Sequence, residues 1–275
     1  MKDTKRVLIT VKTYPTISKK YDELVCTAGV LEDGSWIRIY PMPFRKLDYE
    51  NQYKKYQWLE APLEKNSGDV RPESYQVKDI NRLKLLHSVG TDDNWSERRR
   101  LVLKNQHAFT NLKNLIAKAN KNELSLAVFK PTRIIDFLWE QTERQWSKEK
   151  LDLLKAKSQQ LSFFQTPEEI EEAFSVVPKV PYRFSYKFVD DEGTESTLMI
   201  EDWETGMLYW NCLKKCKNKE DQALQQMKQK YLDDFLKKDL YLFLGTLKQF
   251  HGWAKNPFVI VGVFYPPLMQ QVDLF

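Results

Sequence analysis

The sequence predicts an α+β protein with a β-rich unit at each end and helices between and within these units. Strand-like runs of β-branched and aromatic residues cluster at both ends, hairpin signals separate them, and apolar residues recur at helical spacing in the middle. The chain has 275 residues, of which 42% are hydrophobic, and its mean hydropathy is -0.58. These values fit one or two packed domains and exclude a disordered chain.

Alternating apolar and polar residues predict an N-terminal β domain over residues 1–90. Asp33 and Gly34 lie between two strand-like runs, which is a strong hairpin signal. In the strand WIRIY that follows, the aromatic and basic residues share one face and the two isoleucines share the other. The predicted strands of this domain are Arg6–Tyr14, Glu23–Leu31, Trp36–Tyr40, Tyr53–Leu63 and Arg71–Val77.

The same signals organise the rest of the chain. Residues 91–177 are predicted to form a mixed, largely helical connector, with one helix over Asn94–Lys121 and another beginning at Thr166 and Pro167. Residues 178–275 are predicted to form a C-terminal β domain with inserted helices. Its predicted strands are Tyr182–Val189, Glu195–Ile200, Asp239–Thr246 and Pro257–Tyr265, and its helices are Gly206–Cys216 and Lys219–Lys238.

The three cysteines favour a reducing compartment. Cys26, Cys212 and Cys216 are too few and too irregularly spaced for a disulfide framework. No signal peptide or membrane span is recognised, so we expect a cytoplasmic protein without a membrane partner. Cys212, Cys216 and His251 lack an obvious fourth ligand, so helix packing explains the thiols better than a metal does, and no cofactor is expected.

Positive charge is concentrated in the front of the chain. The net charge is +5, but residues 1–130 contain 24 basic and 16 acidic residues, whereas residues 131–275 contain 19 and 22. A polyanion would therefore meet the front half first. An ordinary solvated surface is the alternative interpretation.

Aromatic and basic residues alternate in the N-terminal strands. Aromatic faces stack on bases, and Lys and Arg follow the phosphates, so this pattern is typical of a surface that binds single strands. Burial of the same rings in the core is the competing interpretation. The candidate nucleic-acid-binding residues are Trp36, Arg38, Tyr40, Arg45, Lys54, Lys55, Tyr56 and Trp58, together with the basic run Arg98, Arg99 and Arg100.

No motif specifies a reaction, so no catalytic residue is assigned. His251 lies in a connector between two strands that are predicted to be buried, and Asp202 lies at a helix start, so the two define a possible cleft site. An acidic helix start, which the helix dipole favours, explains Asp202 more simply. An enzyme acting on a nucleotide or nucleic acid with a site near His251 and Asp202 is therefore an alternative function.

Three long stretches resemble a group of uncharacterised bacterial proteins described as containing dual OB domains (DuOB-like). They are KKYDELVCTAGVLEDGSWIRIYPMPFR (Lys19–Arg45), FSYKFVDDEGTESTLMIEDWE (Phe184–Glu204) and FLGTLKQFHGWAKNPFVIVGVFYPP (Phe243–Pro267). The resemblance implies two small OB-like antiparallel β-barrels joined and flanked by helices. By fold analogy it also implies nucleic-acid binding, without transferring any catalytic residue.

The sequence thus predicts a non-catalytic nucleic-acid-binding protein that holds a single strand on an aromatic and basic sheet face. Two alternatives stay open: the enzyme described above, and an adaptor whose aromatic face receives another protein.

Overall fold

The computed structural model describes residues 4–17, 23–44, 47, 52–104, 108–149, 151–152 and 177–269. This part of the chain has an α+β fold. The helices are α1 (Asp92–Val102), α2 (Leu112–Asn120), α3 (Trp203–Lys215) and α4 (Glu220–Lys228). The strands are β1 (Thr4–Lys12), β2 (Thr16–Ile17), β3 (Glu23–Leu31), β4 (Trp36–Met42), β5 (Gln57–Lys65), β6 (Ser74–Val77), β7 (Lys84–Ser88), β8 (Leu126–Phe129), β9 (Arg133–Gln141), β10 (Tyr182–Val189), β11 (Glu195–Met199), β12 (Tyr241–Thr246) and β13 (Phe258–Phe264).

The first part of the chain closes into a five-stranded β-barrel. Neighbouring strands follow the order β1-β3-β4-β6-β5, and β5 pairs back with β1. The β4–β6 pair is parallel, and the other pairs of the ring are antiparallel. The predicted turn between β3 and β4 is confirmed: the Leu31 amide donates to the Ser35 carbonyl at 2.9 Å, and Gly34 has a φ of 87°.

Alternation along β4 decides which side chains fill the barrel. Ile37 and Ile39 belong to the interior cluster and are fully buried, whereas Trp36 belongs to a cluster on the outer surface. The two faces predicted for this strand are therefore confirmed. β3 and β1 approach so closely that a Cβ at Gly29 would lie 2.0 Å from the Leu8 carbonyl oxygen, which explains the glycine there.

The described strands of the second part form two three-stranded antiparallel sheets. One sheet has the order β8-β12-β13, and the other has the order β11-β10-β9. Residues 91–177, predicted as a connector, contribute β8 and β9 to these sheets. Ile200 forms a single bridge to Ile260, which links the end of β11 to β13.

The β8-β12-β13 sheet is buried on both faces. Leu126, Val128 and Phe243 pack against the outer surface of the barrel. Ala127 and Leu242 face the opposite way, toward a core shared with the second sheet and with α2, α3 and α4. The sheet therefore joins the two parts of the protein through a continuous apolar contact.

Two helix predictions are wrong in extent. The predicted helix Asn94–Lys121 is two helices, because α1 ends at Val102 and Phe109 instead forms a parallel bridge to Phe129. The predicted helix Lys219–Lys238 is a regular α-helix only through Lys228. It then continues as a π-helical segment, Gln229–Asp234, and a 3₁₀ turn, Phe235–Lys237. The helix predicted to begin at Thr166 lies outside the described residues. None of the described helices combines the length and the apolar character needed to cross a membrane.

A cleft between the barrel and the C-terminal sheets

The aromatic surface predicted for the barrel is buried. Trp36, Tyr56 and Trp58 are 7%, 7% and 8% exposed. Trp36 packs edge-on against Phe243 of β12, with the ring centres 5.5 Å apart. The prediction that these three rings line an open groove is therefore wrong. The physical reason is that the β8-β12-β13 sheet and α1 cover the outer face that sequence alternation identified.

The neighbouring lysines of the predicted surface have separate environments. The side chain of Lys55 is 6% exposed, and its Nζ lies 2.8 and 2.9 Å from the two carboxylate oxygens of Asp202 and 3.0 Å from Glu204. Burial opposes the charge of Lys55, but these carboxylates outweigh it and raise the pKa of the ammonium group. Lys55 is therefore an internal tether and not a phosphate contact, which corrects the prediction. Lys54 is exposed, and Arg45 lies outside the described residues.

The three arginines of the basic run in α1, Arg98, Arg99 and Arg100, have separate partners. Arg98 donates to the Val89 carbonyl at 2.8 and 3.0 Å, and Arg99 pairs with Asp239 at 2.6 Å. Arg100 is exposed and pairs with a glutamate one turn earlier. The prediction of a shared phosphate-binding surface is wrong for Arg98 and Arg99, because intramolecular partners hold both side chains.

A cleft of about 530 Å³ lies between the barrel and the second part of the chain, and residues of the covering sheet contribute to its lining. Its barrel wall comes from the connection after β1, represented by Tyr14, and from Cys26 on β3. Arg38 and Tyr40 contribute from β4, and Arg71 contributes from the connection between β5 and β6. The cleft therefore retains two residues of the predicted surface, Arg38 and Tyr40, while Trp36 at the other end of β4 is covered.

The opposite wall belongs to the second part of the chain. It includes residues of β10, the β11–α3 junction, β13 and the β12–β13 connection. Backbone contacts fix the two walls to each other: Thr13 forms an antiparallel bridge with Asp202, and the Tyr14 amide donates to the Glu201 carbonyl at 3.3 Å. The cleft is thus formed by segments that are far apart in the sequence.

The cleft combines aromatic rings with an excess of positive charge. The polar ends of three rings are fixed: the Tyr14 hydroxyl donates to the Pro178 carbonyl, and Trp146 and Tyr182 donate to Val177 and Glu220. Such anchoring leaves the ring faces preorganised for stacking. The half-buried lining rings are Tyr14, Tyr40, Trp146 and Tyr182; the lining cations are Arg38, Arg71, Lys179, Arg183 and Lys248; and the carboxylates are Glu201 and Asp202.

The two buried arginines of the cleft differ in their partners. Arg71 forms an ion pair with Asp69 at 2.6 Å, and although burial opposes ionisation, the guanidinium holds the pKa of that carboxyl at about 2. Arg38 contacts neutral groups: its Nη1 lies 3.4 Å from the Cys26 Sγ, and its Nη2 lies 3.1 Å from the Ser125 carbonyl oxygen. Its Nε has no hydrogen-bond partner in the part of the chain that the structure describes. Burial lowers the pKa of Arg38 from its usual value.

Glu201 presents a carboxyl group to the cleft without an ionic partner in the described part of the chain. Burial raises its pKa above the ordinary value. Its neighbour Asp202 is instead occupied by Lys55 and accepts a hydrogen bond from the Glu204 amide, as an N-terminal cap of α3. Glu201 is therefore the more available acceptor for a polar group of a ligand.

The predicted cleft pair is not brought together. Both ring nitrogens of His251 are hydrogen-bonded, Nδ1 with the Thr246 hydroxyl at 3.0 Å and Nε2 with the Asn122 side-chain oxygen at 2.8 Å. Burial lowers the pKa of His251 and favours the neutral ring. Asp202 lines the cleft, whereas His251 does not. Across the described ranges, no group of three or more His, Cys, Asp or Glu side chains is placed to hold a metal ion.

Lys12 lies among aromatic rings beside the cleft wall. Its Nζ is 4.0 Å from the Phe44 ring centre and 4.5 Å from that of Trp203. Burial, followed by the charge of Lys55, lowers the pKa of Lys12 to about 8 from an ordinary value of 10.5. The folded chain therefore holds this proton less tightly than the unfolded chain does.

We expect Lys12→Met to raise the free energy of unfolding by about 1–2 kcal/mol at pH 7, because loss of the buried charge outweighs loss of the ring contacts. Between pH 8 and 10.5 the unfolded wild type binds more protons than the folded one, so the wild type gains stability as pH rises. The advantage of the variant should shrink over that window in urea titrations. A constant difference at all pH values would contradict this account.

Family comparison places both parts of the chain in domain families. Residues 3–104, which contain the barrel and α1, match the profile of a domain of unknown function, DUF8758. Residues 105–275, more than half of the chain, match the profile of a second domain of unknown function, DUF8757. The chain belongs to the DUF8757 family. A search of curated proteins returns no match. The DUF8757 region supplies the sheet that covers the barrel and one wall of the cleft, and the DUF8758 region supplies the other wall.

Proposed function

We propose that this protein binds single-stranded nucleic acid, without catalysis, in the cleft between the barrel and the C-terminal sheets. One observation carries the proposal. The cleft is lined by the second and third strands of the barrel ring, β3 and β4, and by the connections that follow β1 and β5. OB-type barrels bind oligonucleotides and oligosaccharides with these same elements.

The strand order supports an OB-like assignment for the barrel. Three successive strands of the ring, β1, β3 and β4, form a meander, and the β5–β6 hairpin returns to close the ring between β4 and β1. A five-stranded Greek-key barrel is the architecture expected of an OB unit. We also propose that the chain is related to the dual OB proteins and that its C-terminal part contains a second OB unit.

The lining chemistry favours a polyanion over an uncharged sugar chain. Five cations and two carboxylates line the cleft. Arg71 pairs with Asp69 and Lys179 with Glu143, while Asp202 is neutralised by Lys55. The surplus positive charge therefore lies on Arg38, Lys248 and Arg183, of which Arg183 is 3.8 Å from Glu140. Four partly exposed rings offer faces on which bases can stack, at roughly 1–3 kcal/mol per base. The volume lies within the roughly 300–1,000 Å³ that is common for ligand sites. Oligosaccharide, the other ligand of such barrels, would not need the positive charge.

The proposal is tested by fluorescence anisotropy with labelled single-stranded DNA and RNA over a range of salt concentrations. Arg183 and Lys248 are exposed cations at the rim of the cleft. We expect Arg183→Glu/Lys248→Glu to weaken binding at low salt. The dependence of log affinity on log salt should also become shallower by roughly 1 to 2, because two phosphate contacts are lost.

Lys84→Glu/Lys237→Glu is the matched control, since both lysines are exposed, neither lines the cleft, and the net charge changes equally. This control should keep nearly the wild-type affinity and salt dependence. Absence of binding to any single strand at low salt would reject the proposal. Equal weakening by the control would show that the whole surface, and not the cleft, attracts the strand.

We also propose that the protein works in the cytoplasm. Cys26, Cys212 and Cys216 are free thiols, and Cys26 lies in the cleft, where an oxidising environment would expose it to modification. A cytoplasmic location agrees with a nucleic-acid ligand.

A further inference from the structure

We propose that Arg38 forms a specific site for a terminal phosphate monoester, so that the cleft receives the phosphorylated end of a single strand. The nucleic-acid part of this inference rests on the proposed function. The phosphate site itself rests on the surroundings of Arg38 and is tested separately below.

Arg38 is a buried cation that no carboxylate of the described residues contacts directly. It is 3% exposed, and its hydrogen-bond partners are the Cys26 thiol and the carbonyl and hydroxyl groups of Ser125. The closest comparison within the chain is Arg71, equally buried in the same cleft, whose charge is matched by Asp69 at 2.6 Å. A buried guanidinium is costly to keep unless an anion compensates it.

The nearby carboxylate of Glu73 offsets part of the Arg38 charge through space, but its hydrogen bonds are to Ser125. It accepts the Ser125 amide at 2.9 and 3.0 Å and the Ser125 hydroxyl at 2.6 Å. It therefore holds Ser125 in place and reaches Arg38 through that residue. The Nε of Arg38 has no hydrogen-bond partner among the described residues, but it is shielded from solvent and is not itself the contact atom. Because Arg38 lines the cleft, an oxyanion that enters there would supply the counter-charge that no contacting carboxylate provides. Guanidinium groups bind phosphate oxygens with strong, charge-assisted hydrogen bonds.

Burial of Arg38 favours a chain end over an internal phosphate. An internal phosphodiester carries a sugar on each side, so both sugars would have to fit beside a side chain that is only 3% exposed. A terminal monoester has a sugar on one side only, and at neutral pH it carries about -1.5 to -2 charge, against -1 for a diester. Arg183 and Lys248 are exposed cations of the same cleft, and we assign the following phosphates to them. The structure thus favours an end-on mode of binding.

The first test compares three unlabelled strands of one sequence as competitors against a labelled reference strand. They carry a 5′-hydroxyl, a 5′-phosphate or a 3′-phosphate. We expect a phosphate at one of the two ends to tighten binding by about 10-fold or more, the size of a charged hydrogen-bond contact. Arg38→Gln should remove this gain. Equal affinity of all three strands for the wild type would overturn the phosphate site while leaving the proposed function intact.

The second test needs neither a variant nor a nucleic acid. Cys26 Sγ lies 3.4 Å from Arg38 Nη1, so an anion bound there should hinder alkylation of Cys26 by iodoacetamide. We expect inorganic phosphate to slow this alkylation several-fold relative to chloride at equal ionic strength, as measured by peptide mass spectrometry. The buried thiols of Cys212 and Cys216 serve as internal controls for unfolding.

The outcomes separate the two proposals. Protection of Cys26 by phosphate without any strand binding would support the anion site and reject the nucleic-acid function. Strand binding without protection would reject the anion site alone. Equal protection by acetate would overturn the assignment to phosphate, because a carboxylate would then satisfy Arg38 as well.

Discussion

Lys55→Met is expected to lower the free energy of unfolding by about 3–5 kcal/mol, because it leaves the carboxylate of Asp202 buried without its counter-charge. The Asp202 side chain is fully buried, and its two oxygens lie 2.8 and 2.9 Å from the Lys55 ammonium group. The pair joins the β4–β5 connection of the barrel to the start of α3. Urea unfolding at pH 7 measures the effect, and the midpoint should fall without a large change in slope.

Lys54→Met is the matched control, since Lys54 is adjacent in sequence but exposed, and it should change stability by less than about 0.5 kcal/mol. The double variant Lys55→Met/Asp202→Leu should recover most of the loss, because no buried charge is left unpaired. If Lys55→Met alone is as stable as the wild type, the ion pair is not the tether that its geometry indicates.

Trp36→Ala is expected to lower the free energy of unfolding by about 3–5 kcal/mol as well, the usual cost of removing a large buried ring. Trp36 is 7% exposed and packs against Phe243, so its removal leaves a cavity between the barrel and the covering sheet. The affinity of the folded variant for single strands should stay near the wild-type value, because Trp36 does not line the cleft.

Trp253→Ala provides the same substitution at a site that is 70% exposed, and it should cost much less stability. Denaturant titration of both variants, with anisotropy measured under folding conditions, separates the two roles of a tryptophan. A stable Trp36→Ala protein that has lost binding would restore the original interpretation of an open aromatic surface.

Most of the strands could be predicted because their local patterns agree with the fold. Glu23–Leu31 and Tyr182–Val189 were predicted with the bounds that the structure shows. The faces of β4 followed from alternation alone. The helix through Asn94–Lys121 could not be divided correctly, because apolar residues on both sides of the break maintain helical spacing while Phe109 is held by its bridge to β8.

The site was harder to predict, since burial depends on what covers a surface and not on the surface itself. Alternation placed Trp36, Arg38 and Tyr40 on one face, but only the tertiary arrangement shows that the covering sheet hides Trp36 and leaves Tyr40 at the cleft. Residues such as Tyr14 and Tyr182 were missed because they lie at strand ends in distant segments. The surroundings of Arg38 come from Cys26 and Ser125, which are distant in the sequence, so they leave no pattern in the linear chain.

The covering sheet joins the two family regions through one buried cluster. The outer wall of the barrel is completed by Phe243, Val259 and Val261, which belong to the other family region. In a polypeptide ending at residue 104, Trp36 and Trp58 would belong to an exposed hydrophobic patch, which favours aggregation. The boundary between the DUF8758 and DUF8757 regions therefore does not separate two independent apolar cores, because residues of both regions share one buried cluster.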